Sequence, residues 1–153
     1  MKTKLFLLIL SFILFFIGIY LYGSLQEIFI SSFKNIQFLH RDINKFQQSL
    51  WFGLSISIIP FFYGILQTKG KISNFKSIII VFSVFLISII GAVILKNVQI
   101  KYAAKNSYTP LNGKTIFDYP AENLNYSLFI IIFEFIAFIV LMIFLKKRKN
   151  NCR

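Results

Sequence analysis

The stretch from Tyr126 to Leu145, YSLFIIIFEFIAFIVLMIFL, constrains this chain more than any other. It carries a single acidic or basic side chain, Glu134, near the middle of otherwise almost wholly apolar residues. At a rise of about 1.5 Å per residue, roughly twenty residues match the ~30 Å hydrocarbon core of a bilayer. An acid at the centre of such a helix costs about 2.5–3.5 kcal/mol on insertion scales. Glu134 is therefore expected to be protonated, hydrogen-bonded to another helix, or turned to water inside a bundle.

Three further apolar runs predict spans at about 5–22, 50–66 and 77–95, with the last at 126–145. The first follows Lys2 and Lys4 and ends at Tyr20 and Tyr22, placed as an interfacial belt. It is longer than the ~7–15 apolar residues of a signal peptide, and no A-x-A-like site follows, so an anchor helix is expected. The second contains Pro60, which membrane helices tolerate where neighbours or hydroxyls satisfy the freed carbonyl.

From the end of the first span to the start of the second, Leu25, Ile28, Phe29, Phe33, Ile36, Leu39, Ile43, Phe46 and Leu50 recur at spacings of three and four. This pattern predicts an amphipathic helix over about 25–49, with Glu27, Lys34, Arg41, Asp42, Lys45 and Gln48 on its polar face. Residues 96–125 read as an outer loop punctuated by Thr109-Pro110, Asn112-Gly113 and Tyr119-Pro120. Alternation at Val98, Ile100 and Tyr102, and at Thr115 and Phe117, suggests a short hairpin. Residues 146–153 form a basic tail.

A formal net charge of +12 would suggest nucleic acid in a soluble protein, but here the cations flank apolar runs and 57% of residues are hydrophobic. The basic residues mark topology, and nucleic acid is excluded as a partner for want of a soluble basic and aromatic module. On one side lie Lys2, Lys4, Lys69, Lys71, Lys76 and the tail, with no acid; all the acids except Glu134 lie on the other. The positive-inside rule then puts both termini in the cytoplasm and residues 25–49 and 96–125 outside. The expected fold is an all-α integral membrane protein, one four-transmembrane-helix bundle over 1–153 with an extracytoplasmic amphipathic helix and a short loop or hairpin. The compact loops and the heavy use of Phe, Ile, Lys and Asn point to a bacterial cytoplasmic (inner) membrane.

Helices in lipid pack through small and hydroxyl-bearing residues. Such stripes are Ser11, Phe15 and Gly18; Gly53, Ser57, Pro60 and Gly64; Ser77, Ser88, Gly91 and Ala92; and Ser127, Glu134 and Ala137. Counted from the span ends, Ser57 and Ser88 fall at the depth of Glu134, which predicts an intramembrane polar site of Glu134, Ser57 and Ser88 joined by hydrogen bonds. The single cysteine, Cys152, excludes an internal disulfide and a thiolate metal cluster. A lone histidine cannot build a multi-histidine site, and no Gly-x-Ser-x-Gly, His-Glu-x-x-His or phosphate loop is present. No catalytic residue, metal or cofactor is assigned.

Function is expected to lie in protein–protein binding within the bilayer, as an accessory subunit or a protective or regulatory protein, with Arg41, Asp42 and Lys45 as the partner surface. In size, span number and basic tail the chain is similar to membrane immunity proteins against pore-forming bacteriocins, a likeness of architecture alone. The alternative is a proton-coupled transporter or ion-conducting homo-oligomer centred on Glu134. A third is a membrane enzyme using His40, Arg41, Asp42, Asp118 and Glu122 on the outer face.

Overall fold

The computed structural model describes residues 2–31, 33, 36–39, 41–68, 72–106, 110–111, 114–115, 117–120 and 123–151. Four long helices, α1 (Lys2–Ile30), α2 (Arg41–Thr68), α3 (Asn74–Asn106) and α4 (Tyr126–Asn151), are each long and apolar enough to cross a membrane. Phe12, Ile87, Val140 and Phe144 lie more than half exposed on the outside of the bundle. That surface suits lipid rather than water.

The closest helix pair is α1 with α2. A Cβ on Gly18 would stand 2.7 Å from the Cα of Gly53, and one on Gly53 would stand 2.7 Å from the Phe15 carbonyl oxygen. Gly64 faces Leu7 and Gly23 faces Lys45, so the two helices run antiparallel along the predicted small-residue seam. In α3 the buried face is Ser77, Val81, Ser88, Ala92, Lys96, Ile100 and Ala104. Gln67 Nε2 donates to Ser77 Oγ at 2.9 Å, joining the end of α2 to the start of α3.

The separate amphipathic helix over 25–49 is not what the structure contains. Residues 25–30 complete α1, Ile36–Leu39 form strand β1, and residues from Arg41 onward belong to α2. Phe29 and Ile30 pack on the bundle, and within β1 Ile36 and Phe38 turn inward while Gln37 is exposed. Their period is therefore two, and spacings of three and four also connect residues across a break between two helices. β1 pairs in parallel with β4 (Phe117–Pro120), Ile36 opposite Phe117 and Leu39 opposite Pro120. β2 (Pro110–Leu111) and β3 (Lys114–Thr115) pair antiparallel on either side of 112–113, where the sequence has Asn-Gly. The alternating residues 98–102 lie instead in α3, where Ile100 is buried and Val98 and Tyr102 share an outward face. At 33 residues, α3 is about 50 Å long and overruns a ~30 Å core.

The interior is layered. At the end carrying the strands, here called the sheet end, Phe29, Ile30, Ile100, Ala104, Tyr119, Leu124 and Tyr126 form a core on which Phe33, Ile36 and Phe38 pack. A middle layer holds Tyr22, Phe52, Ile56, Ala92 and Ile130. Toward the termini, Phe62, Leu66, Val81 and Phe138 close the bundle, with the Phe62 and Phe138 rings stacked at 3.9 Å and 4°.

Candidate functional site

The inward face of α4 is Ser127, Ile130, Glu134 and Phe138, a run at spacings of three and four. Ile130 belongs to the middle layer and Phe138 to the terminal one, so Glu134 sits between two apolar layers. It is 1% exposed, and its Oε2 has no hydrogen-bond partner.

The expected serine partners do not engage it. The stack of Phe62 on Phe138 and the bonds from Gln48 to the start of α4 bracket Ser57 at the level of Glu134, as the depth count predicts. Yet Ser57 Oγ donates to Leu54 O at 2.7 Å, and Ser88 Oγ to Val84 O at 2.8 Å. A serine in a helix has a carbonyl three or four residues back within reach, and that local bond wins over a cross-helix one. The hydrogen-bonded Glu134–Ser57–Ser88 site is thus corrected to a lone carboxyl with two serines committed to their own helices.

A second polar group lies nearer the sheet end, and sequence reasoning missed it. Gln48 Nε2 donates to Asn125 Oδ1 and its Oε1 accepts from the Ser127 backbone N–H, both at 3.2 Å. Because Ser127 is in the first turn of α4, Gln48 supplies from α2 an acceptor that the helix itself lacks. Tyr126 OH donates to Asn97 Oδ1 at 2.9 Å. Lys96, 6% exposed, donates to Asn123 O at 3.3 Å and stands 4.4 Å from the centroid of the Phe129 ring. These bonds tie the start of α2 to the start of α4, and the start of α4 to α3 at Lys96 and Asn97. Outside the four long helices, burial holds the Tyr119 phenol above its usual range.

Beside that network, four side-chain atoms are sealed in without partners: Tyr22 OH, Gln26 Oε1 and Nε2, and Ser127 Oγ. Tyr22 points into the bundle, so of the two tyrosines read as an interfacial belt only Tyr20, 85% exposed, fits that place. Each buried polar group left unpaired costs about 1–3 kcal/mol. No signal in single residues marks Gln26 and Gln48 as interior: Gln26 adjoins Glu27, and Gln48 follows Arg41, Asp42 and Lys45.

The predicted partner surface divides. Lys45 Nζ lies 3.9 Å from Glu27 Oε1 at the sheet end. Arg41 and Asp42 occupy the first turn of α2, and their side chains, with that of Asp118 and with His40 and Glu122, lie outside the described residues. A shallow groove opens beside Lys45's partner, lined by Glu27, Ile30, Ser31, Phe33, Ile36 and Phe38. Among the described residues, no three His, Cys, Asp or Glu side chains come together as a metal site would need. No protein-family model, no curated protein and no solved structure matches this chain.

Proposed function

We propose that this chain is a small multi-pass membrane protein that acts by binding another membrane protein, with its sheet end as the recognition surface. The observation that carries this reading is the parallel β1–β4 pair. It ties the α1–α2 and α3–α4 connections into one body, packed on a core of its own against α1, α3 and the start of α4. Segments that merely connected helices would need no such core. Among the described residues β1 pairs with β4 alone, so its second edge offers backbone groups to an incoming strand, beside a groove of mixed character in which Glu27 and Ser31 stand next to Ile30, Phe33, Ile36 and Phe38. By the asymmetry of Lys and Arg, the sheet end faces out of a bacterial cytoplasmic membrane and both termini face in. The role that fits is accessory, protective or regulatory.

Two variants test the surface. Ser31 is exposed at the groove, so Ser31→Trp fills the groove without entering the core. Lys45→Glu reverses a charge at the same end and sets two carboxylates side by side. Both are expected to insert normally and to lose a partner that co-purifies with wild type. Undiminished capture by both would remove this face from the binding site.

A second reading is favoured by one specific observation, the unpartnered Glu134 carboxyl between apolar layers. An acid retained there without a bond to hold helices together is suited to taking up and releasing a proton. Glu134→Gln keeps the shape and removes the titration, so a binding module tolerates it and a proton carrier does not.

A further inference from the structure

The buried atoms at Tyr22, Gln26 and Ser127 have no role in the binding surface. All three residues are 0% exposed. Tyr22 and Gln26 are one turn apart on α1, and Tyr22 lies close to Ser127 on α4 without a geometrically complete hydrogen bond between the two hydroxyls, while both amide atoms of Gln26 have no partner. Such groups in a protein interior are ordinarily satisfied by bound water, which makes about three bonds per molecule. The donors and acceptors here also select water by their chemistry. One amide N–H₂, one amide oxygen and two hydroxyls are neutral and mixed in sense. No described carboxylate joins them to hold a cation, and the nearby Lys96 ammonium is already engaged by Asn123 and Phe129.

The position of this group matters because of what lies beneath it. Ser127 and Glu134 share the inward face of α4, seven residues and about 10 Å apart. One fully buried side chain of that face, Ile130, stands between them, within the layer of Phe52, Ile56 and Ala92. On the other side of Glu134 the closure is thicker: the stacked Phe62 and Phe138 with Leu66 and Val81, backed by Leu141, Met142 and Leu145. The remaining buried titratable groups described, Tyr22, Lys96, Tyr119 and Tyr126, all lie on the sheet side of Glu134.

We propose that Tyr22, Gln26 and Ser127 hold water inside the bundle, and that protons reach the Glu134 carboxyl from this water, past Ile130, from the sheet end. This rests on the second reading above, in which Glu134 exchanges protons. In each exchange the carboxyl gives a proton to water and takes one back, so charge is conserved and only the isotope changes in heavy water.

The experiment is infrared hydrogen–deuterium exchange on the protein in nanodiscs, following the carboxylic C=O band that disappears in Glu134→Gln. The combined variant Tyr22→Phe, Gln26→Leu should slow deuteration of that band about tenfold or more, equivalent to ~1.4 kcal/mol on the barrier. Ile130→Ala, which thins the layer, should speed it by a similar factor. Deuteration at the wild-type rate in both variants would overturn the route. A wild type with no exchangeable Glu134 band would overturn the reading beneath it as well. Hydration is read separately in Glu134→Gln by magnetisation transfer from water to the Gln26 side-chain amide. Transfer there supports the water site whatever Glu134 does, and its absence ends the proposal.

Discussion

Replacing Gly53 by alanine strikes the seam that holds α1 to α2. A Cβ at this position would lie 2.7 Å from the Phe15 carbonyl oxygen and 3.0 Å from Phe15 Cδ2 and Ile19 Cγ1. The side-chain atoms can turn aside, but the carbonyl oxygen is backbone. Restoring ordinary contact at 3.4 Å requires the helices to part locally by about 0.7 Å. Overpacking of this kind costs about 1–3 kcal/mol. Alanine's better helix propensity returns about 0.5–1 kcal/mol, leaving a net loss of about 1–2 kcal/mol. Gly91→Ala is the internal control, since its nearest neighbour is Phe133 Cδ2 at 3.7 Å. There only the propensity gain of about 0.5–1 kcal/mol remains; because it is common to both, the two variants should differ by the overpacking cost alone, about 1–3 kcal/mol. Gly18→Ala should resemble Gly53→Ala, and the double variant should fall short of the sum because both open the same contact. Reversible unfolding in bicelles measures all four. Gly53→Ala as stable as Gly91→Ala would refute the close approach of α1 and α2.

Other substitutions follow from the polar interior. Gln48→Leu leaves the Ser127 N–H and the Asn125 side chain without their partner and should cost about 1–3 kcal/mol in the same assay, with faster amide exchange at the start of α4. Ser57→Ala combined with Ser88→Ala should stay within about 0.5 kcal/mol of wild type and leave the Glu134 infrared band unmoved, because both hydroxyls serve their own helices. Phe138→Ala removes the ring stacked on Phe62 and should lower stability by about 3–5 kcal/mol on chemical unfolding.

The four helices long and apolar enough to cross a membrane were legible because a bilayer demands length and apolarity, and both can be read residue by residue. The seams were legible in part: Ser11, Gly18, Gly53, Pro60, Ser77, Ser88, Ala92, Ser127 and Glu134 are buried, whereas Phe15, Ser57, Gly64, Gly91 and Ala137 from the same stripes are only half-buried. Harder to read was everything at the sheet end. The run Ile36–Leu39 forms a strand only because Phe117–Pro120, some eighty residues on, pairs with it, and no local spacing carries that information. Lys96 and Gln48 look like solvated residues in sequence, yet they bury their polar ends against Asn123, Asn125 and Ser127, which they reach only when α2 and α3 pack against the start of α4. Glu134 shows the converse. Its depth could be counted, but the choice each serine makes between a near carbonyl and a distant carboxyl is settled by local geometry.

Binding at the sheet end fixes what the native mass of the tagged protein, extracted from its own membrane, should be. Wild type and Glu134→Gln should carry the same foreign membrane protein in stoichiometric amount, and Ser31→Trp should lose it. A homo-oligomer with no foreign partner, or a partner kept by Ser31→Trp but lost by Glu134→Gln, would contradict the account.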